Sequence, residues 1–119
     1  GMSLTPEQWA RVGMLMRDGA ATTYAPCLQG SAVMPAYGFG WWLNTPLDET
    51  QAAEIPGILR ERLSFPSPFA PAPPDLFAAI GNHDQRLYVV PSRGLVIVRM
   101  ARTNRGAPFF DADFLRHFD

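Results

Sequence analysis

Gly81 to Met100 reads GNHDQRLYVVPSRGLVIVRM. Arg86–Val90 and Leu95–Ala101 are short runs rich in Val, Ile, Leu and Tyr, the composition of β-strands. Pro91-Ser92-Arg93-Gly94 separates them. A four-residue connection of this kind predicts an antiparallel hairpin. Ahead of the first run stands the polar group Gly81, Asn82, His83, Asp84 and Gln85. This group reads either as an active-site edge or as an ordinary turn that carries a histidine.

Working outward, Asp75–Ile80 (DLFAAI) fits a short helix or the start of a strand. Tyr37–Asn44 (YGFGWWLN) alternates and predicts a strand, with Tyr37, Phe39, Trp41 and Leu43 on a core face. Gly38 and Gly40 on the other face suggest a close neighbour there. Trp42 shares that second face and is a candidate aromatic contact for a ligand. Phe65–Pro74 (FPSPFAPAPP) excludes helix and central strand and predicts an extended surface connection. Between these, Thr45 onward offers helical turns split by Pro56.

The N-terminal part predicts a helix over Leu4–Gly19. Thr5 is its N-cap, Pro6 its first residue and Gln8 the return of a capping box. Gly13 would let another element approach closely, and Gly19 is placed as the C′ stop. At the other end, Asp111 is placed as the cap of a short helix with Phe114, Leu115 and Phe118 on its apolar face. The order predicts an α+β fold. An antiparallel sheet of at least three strands carries N- and C-terminal helices packed on it.

The chain of 119 residues suits one domain over 1–119. A net charge of −1 gives no basic surface for nucleic acid. No apolar run reaches the ~20 residues that span a bilayer. The start has no signal-peptide pattern, so a cytoplasmic location is expected unless a longer precursor exists. Gly1 reads as a tag remnant before Met2. Cys27 is the one cysteine, which rules out an intrachain disulfide and a Cys-rich zinc site. All ten basic residues are arginine. Without lysine there is no Walker-A lysine, no Schiff base and no Ser-x-x-Lys pair within these residues.

Three stretches in order resemble the C-terminal part of the serine β-lactamase and penicillin-binding-protein-like hydrolases, in their class C-related, esterase-like branch. They are SLTPEQWARVGMLMRDGA, YGFGWWLN and IGNHDQRLYVVPSRGLVIVRM. The resemblance implies the C-terminal half of a β-lactamase-like α/β domain, with three strands that follow a helical excursion. It implies that the catalytic Ser-x-x-Lys and tyrosine motifs lie outside these residues. It places the third family motif, which faces the nucleophile, within Ala79–Gln85. Gly81, Asn82, His83, Asp84 and Gln85 are thereby substrate-edge candidates. His83 and Asp84 depart from the small residues, commonly glycine, that the family sets before the Gln.

No catalytic residue is assigned within the chain. The five serines, Ser3, Ser31, Ser64, Ser67 and Ser92, sit in no Gly-x-Ser-x-Gly elbow. His83 and Asp84 are adjacent and would point apart on a strand, so no metal and no cofactor are expected. In the resembled fold the last strand pairs with a strand absent here. Leu95–Met100 is then an open apolar edge, and a homodimer through it or through neighbouring apolar surface is expected. The alternatives are one half of a split hydrolase, completed by a separate N-terminal chain that supplies the nucleophile, and a small ligand-binding module.

Overall fold

A computed structural model describes residues 4–100 and 109–118. Helix α1 spans Pro6–Gly19 behind the expected cap: Gln8 N–H donates to Thr5 Oγ1, and the Gln8 side chain accepts from Thr5 N–H. Gly19 closes the helix from inside rather than standing past its end. A Cβ there would lie 2.5 Å from the Tyr24 ring, so this glycine serves close packing.

The sheet has four antiparallel strands in the order β1 (Trp42–Leu43), β2 (Phe77–Gly81), β3 (Gln85–Val90) and β4 (Leu95–Arg99). Asp75–Ile80 therefore resolves as the start of a strand. The β3–β4 hairpin turns at Pro91–Gly94, where Gly94 has φ 59°. Asp75 accepts from Ser92 through both carboxylate oxygens, so Ser92 acts as a turn residue. Register runs from Val90 opposite Leu95 to Arg86 opposite Arg99 without a bulge.

Tyr37–Asn44 departs from the expected strand. Only Trp42 and Leu43 pair with β2, and Tyr37 bridges back to Trp42. Gly40 at φ 82° turns the chain between them, which leaves Phe39 82% exposed. Tyr37 is also exposed, so the expected core face keeps only Trp41 and Leu43. Gly38 meets the Cys27 backbone, where a Cβ would lie 2.2 Å from the carbonyl oxygen, but a Cβ on Gly40 would meet no described neighbour within 4 Å, and Gly40 serves the turn instead.

Two short helices follow, α2 (Glu49–Ala53) and α3 (Gly57–Arg60), separated by Pro56. A last helix, α4, spans Asp111–Leu115. The sheet is covered on both faces. On one, α1 packs over β3 and β4, with Met16, Trp41, Leu43, Phe77, Leu87 and Val89 between them. On the other lie Phe69, Leu76, Ala78, Tyr88, Val90, Ile97 and Leu115. A smaller cluster of Ala36, Leu47 and Ile55 lies beside them. No helix among the described residues is long and apolar enough to cross a membrane.

Phe69 belongs to the proline-rich segment, which corrects its reading as a surface connection. Phe69 and Pro68 are fully buried, and the Phe69 ring meets the Tyr88 ring edge-on at 6.2 Å. Prolines bring no N–H that would need a partner inside. Buried Asn44 satisfies several of the remaining groups. Its Oδ1 accepts from Phe69 N–H, and its Nδ2 donates to the Ala72 and Pro73 carbonyls.

Candidate functional site

Gly81 pairs with Gln85, so Asn82, His83 and Asp84 form a three-residue turn between β2 and β3. His83 and Asp84 both have φ 59°. Two consecutive residues with side chains in the left-handed region cost about 1–2 kcal/mol each. Glycine would hold this backbone without that cost. The turn persists because its surroundings hold it.

Arginines hold it. Arg62 Nε donates to Asp84 Oδ1 at 3.3 Å, and Arg86 Nη2 lies 3.8 Å from the same oxygen. Arg99 Nη1 donates to the Asp84 carbonyl. Asp84 is buried, and its Oδ2 has no hydrogen-bond partner among the described residues.

Behind the turn the network continues into the core. Arg86 grips Asp111 with two parallel bonds, Nε to Oδ1 at 2.8 Å and Nη2 to Oδ2 at 3.1 Å. Tyr88 Oη donates to Asp111 Oδ1. The Asp111 N–H donates to the Arg62 carbonyl, which ties the C-terminal helix to the chain after α3. Phe109 lies beneath two of the cations, 4.1 Å from Arg99 and 5.1 Å from Arg86. Burial would lower the Arg86 pKa, but the hydrogen bond and charge of Asp111 outweigh it and the net shift is upward. Burial, followed by the charge and hydrogen bond of Asp111, pushes the Tyr88 hydroxyl well above the ordinary tyrosine range.

Asp111 therefore does not cap the last helix. Phe110 holds the N-cap position without a side-chain bond, and the Asp111 carboxylate turns inward to Arg86. Two of the three expected apolar residues face the core: Leu115 is buried, and Phe114 stacks on Tyr88 at 5.8 Å, whereas Phe118 lies in the turn after the helix and is exposed.

Two grooves flank the turn. One, of about 230 Å³, lies between Arg62, Ile58 and Leu59 on one side and Asn82, His83 and Asp84 on the other. The second, of about 90 Å³, is lined by Trp9, Ala79, Gln85, Leu87 and Met100 on the α1 face. Gly81 borders both. Gly81, Asn82 and His83 are exposed and Gln85 is half-buried. The five substrate-edge candidates thus form one turn between two grooves. Trp42 lines neither groove. It packs between core clusters, with the Tyr37 ring edge-on at 4.7 Å.

Arg62, Arg86, Tyr88, Arg99, Phe109 and Asp111 are the part of the site that the sequence reading does not reach. Arg86 and Tyr88 on β3 and Arg99 on β4 lie on strands, but nothing local marks Arg86 as inward-facing or Asp111 as its partner. Among the described residues no three of His, Cys, Asp and Glu come together to hold a metal ion.

Fold and turn together define an α+β antiparallel-sheet protein with an arginine-clamped hairpin turn. Comparison with protein-family models, curated proteins and solved structures gives no match.

Proposed function

We propose that these residues are the C-terminal sheet half of a β-lactamase-related serine hydrolase. In this reading the chain is non-catalytic by itself and joins another chain across β4. The observation that carries it is the position of β4. Among the described residues it is the terminal strand of the sheet, paired on one side with β3, where the resembled fold continues into further strands. The order of helix, short strand, three antiparallel strands and helix also supports it. So does the Gly81–Gln85 turn, which lies between two grooves where the resembled enzymes carry a catalytic edge. The sequence has no lysine, so a Ser-x-x-Lys nucleophile has to come from outside these residues.

Purified chain is expected to leave nitrocefin and p-nitrophenyl butyrate unhydrolysed at the buffer rate. Turnover that disappears when one of the five serines is changed to alanine would overturn this reading.

The grooves favour a second reading, in which the chain is one half of a split hydrolase. The turn would then form one wall of a pocket whose nucleophile a second chain provides. Hydrolysis that appears only on mixing with a chain bearing Ser-x-x-Lys and the tyrosine motif is the expected sign of it.

A further inference from the structure

Sheet proteins that stay monomeric guard their edges with lysines, prolines, bulges, inward-pointing charges or a very short outer strand. The β1 edge is guarded in this way, since it is two residues long and Tyr37 folds over it. The β4 edge is not. Leu95-Val96-Ile97-Val98-Arg99 has no proline, no lysine and no bulge. Arg99 at its end and Arg93 in the turn before it are turned back onto their own chain. Arg93 donates to the Phe118 carbonyl, and Arg99 lies over the Phe109 ring while donating to the Asp84 carbonyl. Among the described residues, nothing pairs with the free side of this strand, and its apolar side chains lie beside an open ladder.

Its neighbour α1 carries a matching flank. Gly13 sits against Val96, Arg17 donates to the Gly94 carbonyl, and Trp9 shares a groove with Met100. The helix therefore runs antiparallel to β4. Glu7, Ala10, Met14 and Arg17 follow i, i+3, i+7, i+10 spacing and form one stripe. Met16, Val12 and Trp9, on the opposite flank of α1, pack with Trp41, Leu43 and Phe77 over the inner strands, which leaves this stripe on the flank toward β4. The stripe is acidic at its start, apolar in the middle and basic at its end, and Met14 is 40% exposed.

We infer that the partner across β4 is a second copy of this chain, related by a twofold axis at Ile97. This rests on the reading above that the sheet is joined across β4, and names the partner. Antiparallel pairing about Ile97 sets Ile97 on its twin and each Val96 opposite the partner's Val98. The same axis reverses the α1 stripe, so Glu7 of each protomer faces Arg17 of the other and the apolar middles meet. Strand and helix are each self-complementary about one axis, as an isologous interface requires.

The test is sedimentation of the full chain across dilution, together with cross-linking. In a Cys27→Ser background, Ile97→Cys is expected to give a disulfide-linked dimer under mild oxidation, because only this register sets residue 97 opposite itself. Ile97 is buried, so charge reversal on the helix stripe is a second route, at exposed Glu7 and at half-buried Arg17, which also pairs with Asp18 of its own chain at 3.0 Å. Glu7→Arg and Arg17→Glu are each expected to weaken dimerisation about fivefold, and the double reversal to restore it. A monomer at all concentrations, or a dimer without the cross-link and without rescue by double reversal, would overturn the inference. A monomer that pairs only with a nucleophile-bearing chain would also overturn it. The hydrolysis assay separates the two readings. An inert monomer removes the dimer and leaves the non-catalytic assignment, whereas a twofold dimer that hydrolyses ester does the reverse.

Discussion

At position 83 an exposed histidine holds a left-handed backbone with φ 59° and ψ 35°. No hydrogen bond or ion pair of its side chain repays that strain among the described residues. His83→Gly is therefore expected to stabilise the protein by about 1 kcal/mol, read as a higher urea midpoint. Asp84 has the same backbone sign but a different role, because its carboxylate faces Arg62 and Arg86. Asp84→Gly relieves the strain but removes the carboxylate that pairs with Arg62, and leaves Arg86 with Asp111 alone. A net loss of about 1–3 kcal/mol is expected, so the two glycine variants should move the midpoint in opposite directions. Tyr88 makes a prediction in pH. Its hydroxyl stays protonated in the folded state well above the ordinary value of 10.0, whereas the unfolded chain releases that proton near it. Above pH 10 the folded state then binds more protons than the unfolded state, and stability falls as pH rises. The limiting slope is about 1.4 kcal/mol per pH unit. Below that pH the contribution is fully present. Tyr88→Phe should flatten this alkaline loss while costing about 1 kcal/mol at neutral pH for the bond to Asp111.

At the level of elements, α1 sits on the sheet through Gly13. A Cβ there would lie 2.5 Å from Val96 Cγ1 and 3.0 Å from Leu87 Cδ1. Alanine gains roughly 1 kcal/mol in helix propensity over glycine. Val96 is β-branched and stiff at χ1, so it cannot swing clear. Gly13→Ala is expected to lose more to the forced shift of α1 than it gains, for a net destabilisation of about 1 kcal/mol in chemical unfolding. This contact was legible in the sequence, because an internal glycine on the apolar stripe of a well-capped helix has few other uses. The hairpin was legible for a similar reason, since β-branched runs and a Pro-Ser-Arg-Gly break agree with each other. The elements that were misread failed where local pattern and tertiary contact disagree. Tyr37–Asn44 alternates like a strand, yet Gly40 at positive φ folds it into a turn before pairing can extend. The proline-rich segment has no regular structure, and its burial rests on the partners that Asn44 supplies together with backbone bonds such as Leu47 N–H to the Pro66 carbonyl and Ser64 N–H to the Pro68 carbonyl.

Over the whole molecule, the least legible feature is also the one that joins distant parts. Arg86 lies on a central strand, Asp111 starts the last helix, and Arg62 follows α3; no local period links them. Together with Tyr88 they fasten the C-terminal helix to one face of the sheet. Phe114 and Leu115 lie over the same face, against Tyr88 and its neighbours. Removing residues 109–119 would thus do two things at once. It would uncover the apolar face around Tyr88, and it would leave Arg86 buried without its carboxylate. Breaking a buried pair by removing one partner costs about 3–5 kcal/mol. That is a large share of the ~5–15 kcal/mol by which domains are stable. The truncated chain is expected to lose its cooperative unfolding transition and to bind ANS, while far-UV circular dichroism still reports helix and strand. Asp111→Asn isolates the ionic part of this effect, since it keeps Leu115 and Phe114 in place. It should lower the urea midpoint by the equivalent of about 3 kcal/mol and leave the transition cooperative. A midpoint within 0.5 kcal/mol of the parent for Asp111→Asn, a rough limit for surface changes, would mean that the apolar face alone holds the helix and that the arginine network contributes little to it.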